Sequence, residues 1–115
     1  MNLSYEPDPA ISGGLVVRLA GNLDINGASK LWDDVSNRAG EETRFFIFDL
    51  TDVPIVTSAG IGTLVRFLVR LRGYGGAMSI CGCSDKIYEI FSIVMLDDIL
   101  QVCGSEEEAR EKLAQ

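Results

Sequence analysis

Residues 43–50 (TRFFIFDL) place bulky apolar side chains on both parities of an extended chain. Successive side chains of a strand point to opposite faces of its sheet, so a strand with this composition is buried on both sides. Strands of this kind lie in the middle of a sheet that helices cover. The segment therefore predicts an α/β fold built around a central strand.

The rest of the chain supplies matching strands and helices. Branched and aromatic residues predict further strands at residues 3–6, 15–19, 77–81 and 99–103. Apolar residues at helical spacing, together with serines suited to N-capping, predict helices at residues 26–39, at 59–72, after Ser84 and after Ser105. This alternation predicts a single α/β domain spanning residues 1–115, with a mixed sheet of about four to five strands packed with about four helices.

The acidic composition limits the partners. With 17 acidic and 10 basic residues, the 115-residue chain carries a formal net charge of −7. Such a charge repels nucleic-acid phosphates and anionic lipid headgroups, so we expect neither nucleic acid nor an acidic membrane as a partner, whereas a basic protein remains compatible. No apolar run reaches the roughly 18 residues that span a bilayer, and the first residues lack the pattern of a signal peptide. We expect a cytoplasmic protein without membrane insertion.

A metal site and a disulfide framework are not expected. The chain contains three cysteines and no histidine. An odd number of thiols argues against a disulfide framework. A zinc site with four ligands would need carboxylates to complete it. The pair Cys81 and Cys83 is better explained as small apolar residues at the end of a buried strand.

The junction between the central strand and the next helix is the strongest functional candidate. It reads Val56-Thr57-Ser58-Ala59-Gly60-Ile61-Gly62. A small hydroxyl residue at the start of a helix, followed by small residues, leaves the first backbone N–H groups uncovered and the hydroxyl exposed. Ser58 is then either a residue that a partner reads or modifies, or an ordinary N-cap.

Two other residues also have more than one interpretation. Asp24 follows the second strand, where an aspartate either caps the next helix or takes part in an interface. Trp32 lies at helical spacing with apolar neighbours, which favours a place in the core over a contact surface. In the helix that follows Ser58, the solvated face is predicted to carry Arg66, Arg70 and Arg72.

Three segments, in their order and spacing, resemble the STAS domain of bacterial anti-sigma factor antagonists. Residues 19–24 (LAGNLD) are similar to the family's glycine-x-leucine-aspartate turn. Residues 48–53 (FDLTDV) are similar to its central strand and exit, and residues 57–62 (TSAGIG) to its aspartate-serine-serine-glycine-leucine-glycine phosphorylation loop. Residues 75–76 and the acidic segment 106–109 also match, so the resemblance covers nearly the full length.

The resemblance implies a partner-switching role. In the family, the unmodified antagonist binds an anti-sigma factor that is also a serine kinase, and phosphorylation ends that binding. Ser58 falls on the phosphoacceptor position, and Thr57, which stands where the family commonly has aspartate, is the alternative acceptor. The implied partner-binding residues are Asp24, Thr57, Ser58, Ala59, Gly60 and Ile61. The partner would bring the nucleotide and Mg²⁺, so no cofactor is expected in this chain.

A binding module that is not phosphorylated and an enzyme are the other classes of function to consider. STAS-like modules also occur in transport systems and nucleotide-sensing proteins, so a module that is not phosphorylated and binds a protein or a ligand is the alternative. An enzyme is not expected, because Ser58 has no histidine to serve as its base and no carboxylate pair stands in an evident cleft. Pro7 and Pro9 interrupt the edge of the first strand, which favours a monomer or a weak dimer.

Overall fold

The computed structural model describes residues 1–114 as a mixed four-stranded sheet with helices on both faces. The elements in chain order are β1 (Asn2–Pro7), β2 (Gly14–Ala20), α1 (Ile25–Ser36), β3 (Phe45–Asp52), α2 (Ser58–Arg72), β4 (Ala77–Cys81), α3 (Asp85–Ile93) and α4 (Glu106–Leu113). The strands lie in the order β1-β2-β3-β4, with β1 antiparallel to β2 and the other neighbours parallel. The α/β class predicted from the sequence is confirmed.

The central strand is buried on both faces, as its composition predicts. On one face Phe46 and Phe48 pack edge-on against Phe67 of α2, with ring centroids 5.0 and 5.5 Å away. On the other face Ile47 belongs to a second buried cluster that includes Ala109 and Leu113 of α4. The helices α1, α2 and α3 therefore cover one side of the sheet, and α4 covers the other.

The predicted strand at residues 99–103 is wrong. Only an isolated parallel bridge joins Val102 to Ile80 of β4. The preceding residues form turns, in which the N–H of Leu100 donates to the carbonyl of Leu96 and Gln101 adopts a positive φ of 52°. The apolar pattern there comes from a turn that buries Leu100. The sheet therefore has four strands in the described part of the chain.

Most other boundaries move by a few residues. The helix predicted at 26–39 is Ile25–Ser36, the central strand predicted at 43–50 is Phe45–Asp52, and the helix predicted at 59–72 begins one residue earlier. Ser84 and Ser105 are N-caps as predicted, accepting from the N–H groups of Ile87 and Glu108. Trp32 is half-buried and packs against the core.

A network of charged side chains fixes α4 to the sheet. Arg18 of β2 donates to Asp49 of β3 at 2.8 Å and to Glu106 of α4 at 2.7 Å. Arg110 of α4 donates to Asp8, whose side chain is only 1% exposed, at 2.8 Å. The second face of the sheet is thus closed by ion pairs as well as by apolar contacts.

Within residues 1–114, no helix is both long and apolar enough to span a bilayer.

Candidate functional site

The segments after β2 and β3 meet at one edge of the sheet. Because β2 and β3 are parallel, their carboxyl ends lie at the same edge. There the N–H of Leu23 donates to the carbonyl of Ile55 at 2.8 Å, and the N–H of Thr57 donates to the carbonyl of Leu23 at 3.1 Å. This short ladder brings Asp24 next to the start of α2, where Ser58 lies.

Ser58 is the first residue of α2 and is exposed. Its interpretation as the N-cap is wrong, because the cap position is occupied by Thr57, whose backbone is extended with φ −103°. The Thr57 hydroxyl donates to the carbonyl oxygen of Leu23 at 3.4 Å and makes no capping bond to α2. The Ser58 hydroxyl makes no hydrogen bond with another residue of the described part of the chain and is available to a partner.

The first turn of α2 presents uncapped backbone donors. Thr57 makes no side-chain capping bond, and the first turn contains no acidic residue. Within residues 1–114, no backbone or side-chain acceptor satisfies the N–H groups of Ser58, Ala59 and Gly60. Free amides and the helix dipole together favour an anion at such a helix start. The surroundings of Ser58 are therefore suited to a negatively charged group.

Asp24 caps α1, which confirms its interpretation as a helix cap. Its Oδ1 atom accepts from the N–H of Gly27 at 2.9 Å, and its carbonyl accepts from the N–H of Ala28 at 2.7 Å. Asp24 is half-exposed, so its capping role leaves part of the carboxylate facing solvent beside α2. Ser58 is exposed, and Asp24, Thr57, Ala59 and Ile61 are half-buried, so these predicted residues are open to a partner, whereas the predicted Gly60 is buried.

The two glycines of the junction, Gly60 and Gly62, differ in how much room the structure leaves for a side chain. Gly60 is buried, and a Cβ added there would overlap the carbonyl oxygen of Leu23. A Cβ added at Gly62 would meet nothing within 4 Å. Gly60 is therefore required for the close approach of the β2–α1 loop to α2, whereas the packing of the chain does not require Gly62.

Exposed apolar side chains flank Ser58, and the sequence reasoning missed them. Ile25, directly after Asp24, is 73% exposed, and Ile55 is 50% exposed. Ala59 and Ile61 are half-buried in the first turn of α2. The sequence offered one signal for the isoleucines, because each lies next to a predicted turn residue and outside the apolar pattern of its element. Ile25 lines the same groove as Ala59, and the carbonyl of Ile55 accepts from the N–H of Leu23, so both isoleucines lie near the loop contact at the start of α2.

No metal centre is evident at this surface. Within residues 1–114, no group of three or more Cys, Asp and Glu side chains is placed to hold a metal ion. The chain has no histidine, and the Oδ1 atom of Asp24 accepts from the N–H of Gly27 as the cap of α1. The site presents an exposed hydroxyl beside free backbone N–H groups that can bind an anion.

Comparison with known proteins gives a consistent result. A family model described as the STAS domain matches residues 5–109. The chain is similar to the anti-sigma-B factor antagonist of Listeria monocytogenes, with 28% identity over 108 residues, which cover 94% of this chain and 95% of that protein.

Solved structures share the fold. An anti-sigma factor antagonist from Mycobacterium paratuberculosis superposes with a TM-score of 0.84 at 17% identity, covering 99% of this chain and 94% of that one. The anti-sigma factor antagonist SpoIIAA gives a TM-score of 0.75 in its unphosphorylated form, at 18% identity and 96% coverage of both chains. The phosphorylated form of SpoIIAA from Bacillus gives 0.67 at 18% identity, covering 95% of this chain and 98% of that one. Because the family match includes nearly all the elements of the fold, the chain belongs to the STAS domain family.

Proposed function

We propose that this protein is an anti-sigma factor antagonist that acts by partner switching. In its unphosphorylated form it binds an anti-sigma factor that is also a serine kinase, and phosphorylation of Ser58 releases that partner. The observation that carries the proposal is the exposed Ser58 hydroxyl at the first position of an uncapped helix. The name of the Listeria relative supports the antagonist role. The proposal takes residues 1–115 as one STAS domain that works in the cytoplasm.

The start of α2 can accept a phosphate without unfolding. Phosphorylation adds about −1.5 to −2 charges at neutral pH. The free N–H groups of Ser58, Ala59 and Gly60 are donors for the new oxygens, and the helix dipole favours the added charge. The phosphorylated chain should therefore keep its fold.

A partner packed over the same surface cannot accept the phosphate. The exposed side chains of Ile25 and Ile55 would be covered in such a complex, which makes the contact apolar around Ser58. Burying a dianion without a matching cation costs several kcal/mol. The half-exposed Asp24 carboxylate adds a like charge nearby. Phosphorylation should therefore end binding by electrostatics and desolvation.

Ser58 is better placed than Thr57 to be the acceptor. The Thr57 side chain is half-buried and its hydroxyl faces the Leu23 carbonyl, whereas Ser58 is exposed. In the transfer, the Ser58 Oγ atom attacks the γ-phosphorus of ATP, the bond to ADP breaks, and a base of the kinase takes the hydroxyl proton. The chain supplies the acceptor, and the partner supplies the nucleotide, the Mg²⁺ and the base.

The proposal is tested by phosphosite mapping. The protein is purified from its native cells, under growth and under stress, and compared with Ser58→Ala and Thr57→Ala variants by mass spectrometry. Purified protein is also incubated with an anti-sigma factor kinase of the same organism and Mg·ATP. We expect phosphate on Ser58 in wild type and in Thr57→Ala, and none in Ser58→Ala. Absence of phosphate on Ser58 under all these conditions would overturn the proposal in favour of a STAS module that is not phosphorylated.

A further inference from the structure

A groove of about 430 Å³ runs between α1 and α2. It begins at Ala59, directly beside Ser58, and continues along the two helices to Trp32 and Arg66. The other lining residues are the apolar Ile25 and Ala28, the hydroxyl residues Ser29 and Thr63, and the acidic Asp33. The groove therefore extends the surface around Ser58 by about two helical turns, since Arg66 lies about 12 Å along the axis from Ser58 at 1.5 Å per residue.

Two arginines of α2 are stacked on the Trp32 ring. The guanidinium carbon of Arg66 lies 3.8 Å from the ring centroid, and that of Arg70 lies 5.7 Å from it. The ring itself is held edge-on against Phe67, with centroids 6.2 Å apart. Cation–π contact with an anchored indole fixes the Arg66 guanidinium in place. Both arginines are exposed.

Neither arginine is paired with a carboxylate within residues 1–114. The ion pairs of the described chain involve Arg18, Lys30 and Arg110, and neither Arg66 nor Arg70 donates a hydrogen bond to another described residue. Cations of like charge four residues apart weaken a helix slightly. Arg70 has a compensating reason, because it lies in the last turn of α2, where a cation complements the helix dipole. Arg66 has none.

We propose that this groove binds an acidic segment of the protein partner, with a carboxylate of that segment paired to Arg66 over the face of Trp32. The inference rests on the proposed function, because the partner is the one that covers Ser58. Two observations support this occupant. The donors of Arg66 are unused within residues 1–114, and the two guanidinium groups at Trp32 outnumber the one carboxylate that lines the groove, that of Asp33. This part of the surface therefore attracts carboxylates although the chain carries a net charge of −7. Ala59 belongs both to the groove and to the first turn of α2, so one partner can cover both.

The test uses Trp32, the only tryptophan of the chain, as the reporter. An oligoglutamate peptide is titrated into the full-length protein at low salt while tryptophan fluorescence is followed, and a Gly-Ser peptide of equal length is the comparison. We expect a saturable change with oligoglutamate alone, and this change should weaken as salt is added. In Arg66→Gln the apparent affinity should fall about tenfold, which is the loss expected for one charge-assisted pair.

Two further variants control the test. Arg66→Lys keeps the charge but loses the planar fork, so it should bind with intermediate affinity. Arg44→Gln removes an exposed arginine that precedes β3 and therefore lies at the opposite edge of the sheet, and it should bind like wild type. Equal binding of both peptides, or equal losses in Arg44→Gln and Arg66→Gln, would overturn the proposal.

The same variants separate this inference from the proposed function. With the anti-sigma factor kinase as the probe, Arg66→Gln should lower the affinity about tenfold while Ser58 is still phosphorylated at saturating kinase. If Ser58 is phosphorylated but Arg66→Gln binds the kinase as tightly as wild type, the groove proposal fails alone. If Ser58 is never phosphorylated but oligoglutamate binding depends on Arg66, the acidic-segment site is supported and the switch is overturned.

Discussion

The backbone N–H of Thr57 donates to the carbonyl oxygen of Leu23 at 3.1 Å, and this bond joins the start of α2 to the loop that starts α1. The same Leu23 carbonyl lies against the backbone of Gly60. The surface that carries Ser58 is therefore built on a backbone contact between two loops that are distant in sequence. Beside this contact Ser58 is exposed and Asp24 is half-exposed, so both side chains can meet a partner.

The two junction glycines should respond oppositely to alanine. In Gly60→Ala the new Cβ would overlap the Leu23 carbonyl and lie 2.7 Å from the Leu23 Cγ atom, so the free energy of unfolding should fall by about 2 kcal/mol or more. In Gly62→Ala the Cβ meets open space, and the gain in helix propensity should raise the free energy of unfolding by about 0.5–1 kcal/mol. Urea unfolding of the two variants measures both effects. Changes of the same sign would show that the loop contact does not constrain Gly60.

The sequence predicted correctly those strands whose composition points to strand alone. The strand Ala77–Cys81 lies where its branched and apolar residues predicted it, and the doubly buried β3 has the burial that its composition required. The segment 99–103 failed because burial alone does not distinguish a short strand from a turn. Leu100 is fully buried there although the backbone at Gln101 is left-handed.

The site was only partly predictable. Local patterns marked Asp24 and Ser58 separately, and only the family resemblance placed them in one interface. The bridge between Leu23 and Val56, which brings the two segments together, is a tertiary contact without a local signal. Arg66 was predicted as solvated and is exposed, yet its position over Trp32 depends on how two helices pack. Contacts of this kind follow from the packing of elements, which single-sequence periodicity does not encode.

Removing Arg110 should destabilise the fold more than an ordinary surface substitution. Asp8 is buried and accepts from Arg110 and from the N–H groups of Ala10 and Ile11. In Arg110→Met the Asp8 charge loses the one cation that pairs with it within residues 1–114, so the free energy of unfolding should fall by about 3–5 kcal/mol.

The double variant Asp8→Asn, Arg110→Met provides the control for the Asp8–Arg110 pair. It removes the buried charge as well as its partner, and should recover part of the stability lost in Arg110→Met. Urea unfolding of the single and double variants forms the cycle. A double variant that is less stable than Arg110→Met by the full cost of Asp8→Asn alone would contradict a direct coupling of the two residues.

The free energy of unfolding should fall in acid, because the carboxylates that bind Arg18 become protonated. The hydrogen bond from Arg18 is the main cause that lowers the pKa of Glu106, against the opposing effect of burial. Burial acts to raise the pKa of Asp49, but hydrogen bonds from Thr51 and Arg18 outweigh it and lower that pKa as well. Both native pKa values lie below those of the unfolded chain. The unfolded state therefore binds more protons, and stability is lost as the pH falls from the ordinary carboxyl range near about 4 through the lower native values.

This pH dependence is measurable with a single substitution. In Arg18→Gln the carboxylates of Asp49 and Glu106 lose their shared cation, so their native pKa values should move toward the unfolded ones. The free energy of unfolding, measured with urea from pH 7 downward, should then fall less steeply with acid than in wild type. Parallel curves for the two proteins would show that Arg18 does not supply the pH dependence.

A negative charge at Ser58 should separate folding from binding. In Ser58→Glu the carboxylate joins a first turn that has no acidic residue and no side-chain cap, so the free energy of unfolding should stay constant or rise by about 0.3–1 kcal/mol. The affinity for the anti-sigma factor kinase, measured by calorimetry, should nevertheless fall by at least about tenfold. A partner that covers the exposed side chains of Ile25 and Ile55 would also cover the new carboxylate and remove it from water. Ser12→Glu adds the same charge to an exposed position before β2, at the opposite edge of the sheet, and should leave the affinity unchanged. If Ser58→Glu bound as tightly as Ser12→Glu, the surface at the start of α2 would lie outside the partner interface, and the free amides of that turn would have to be explained by a different anion.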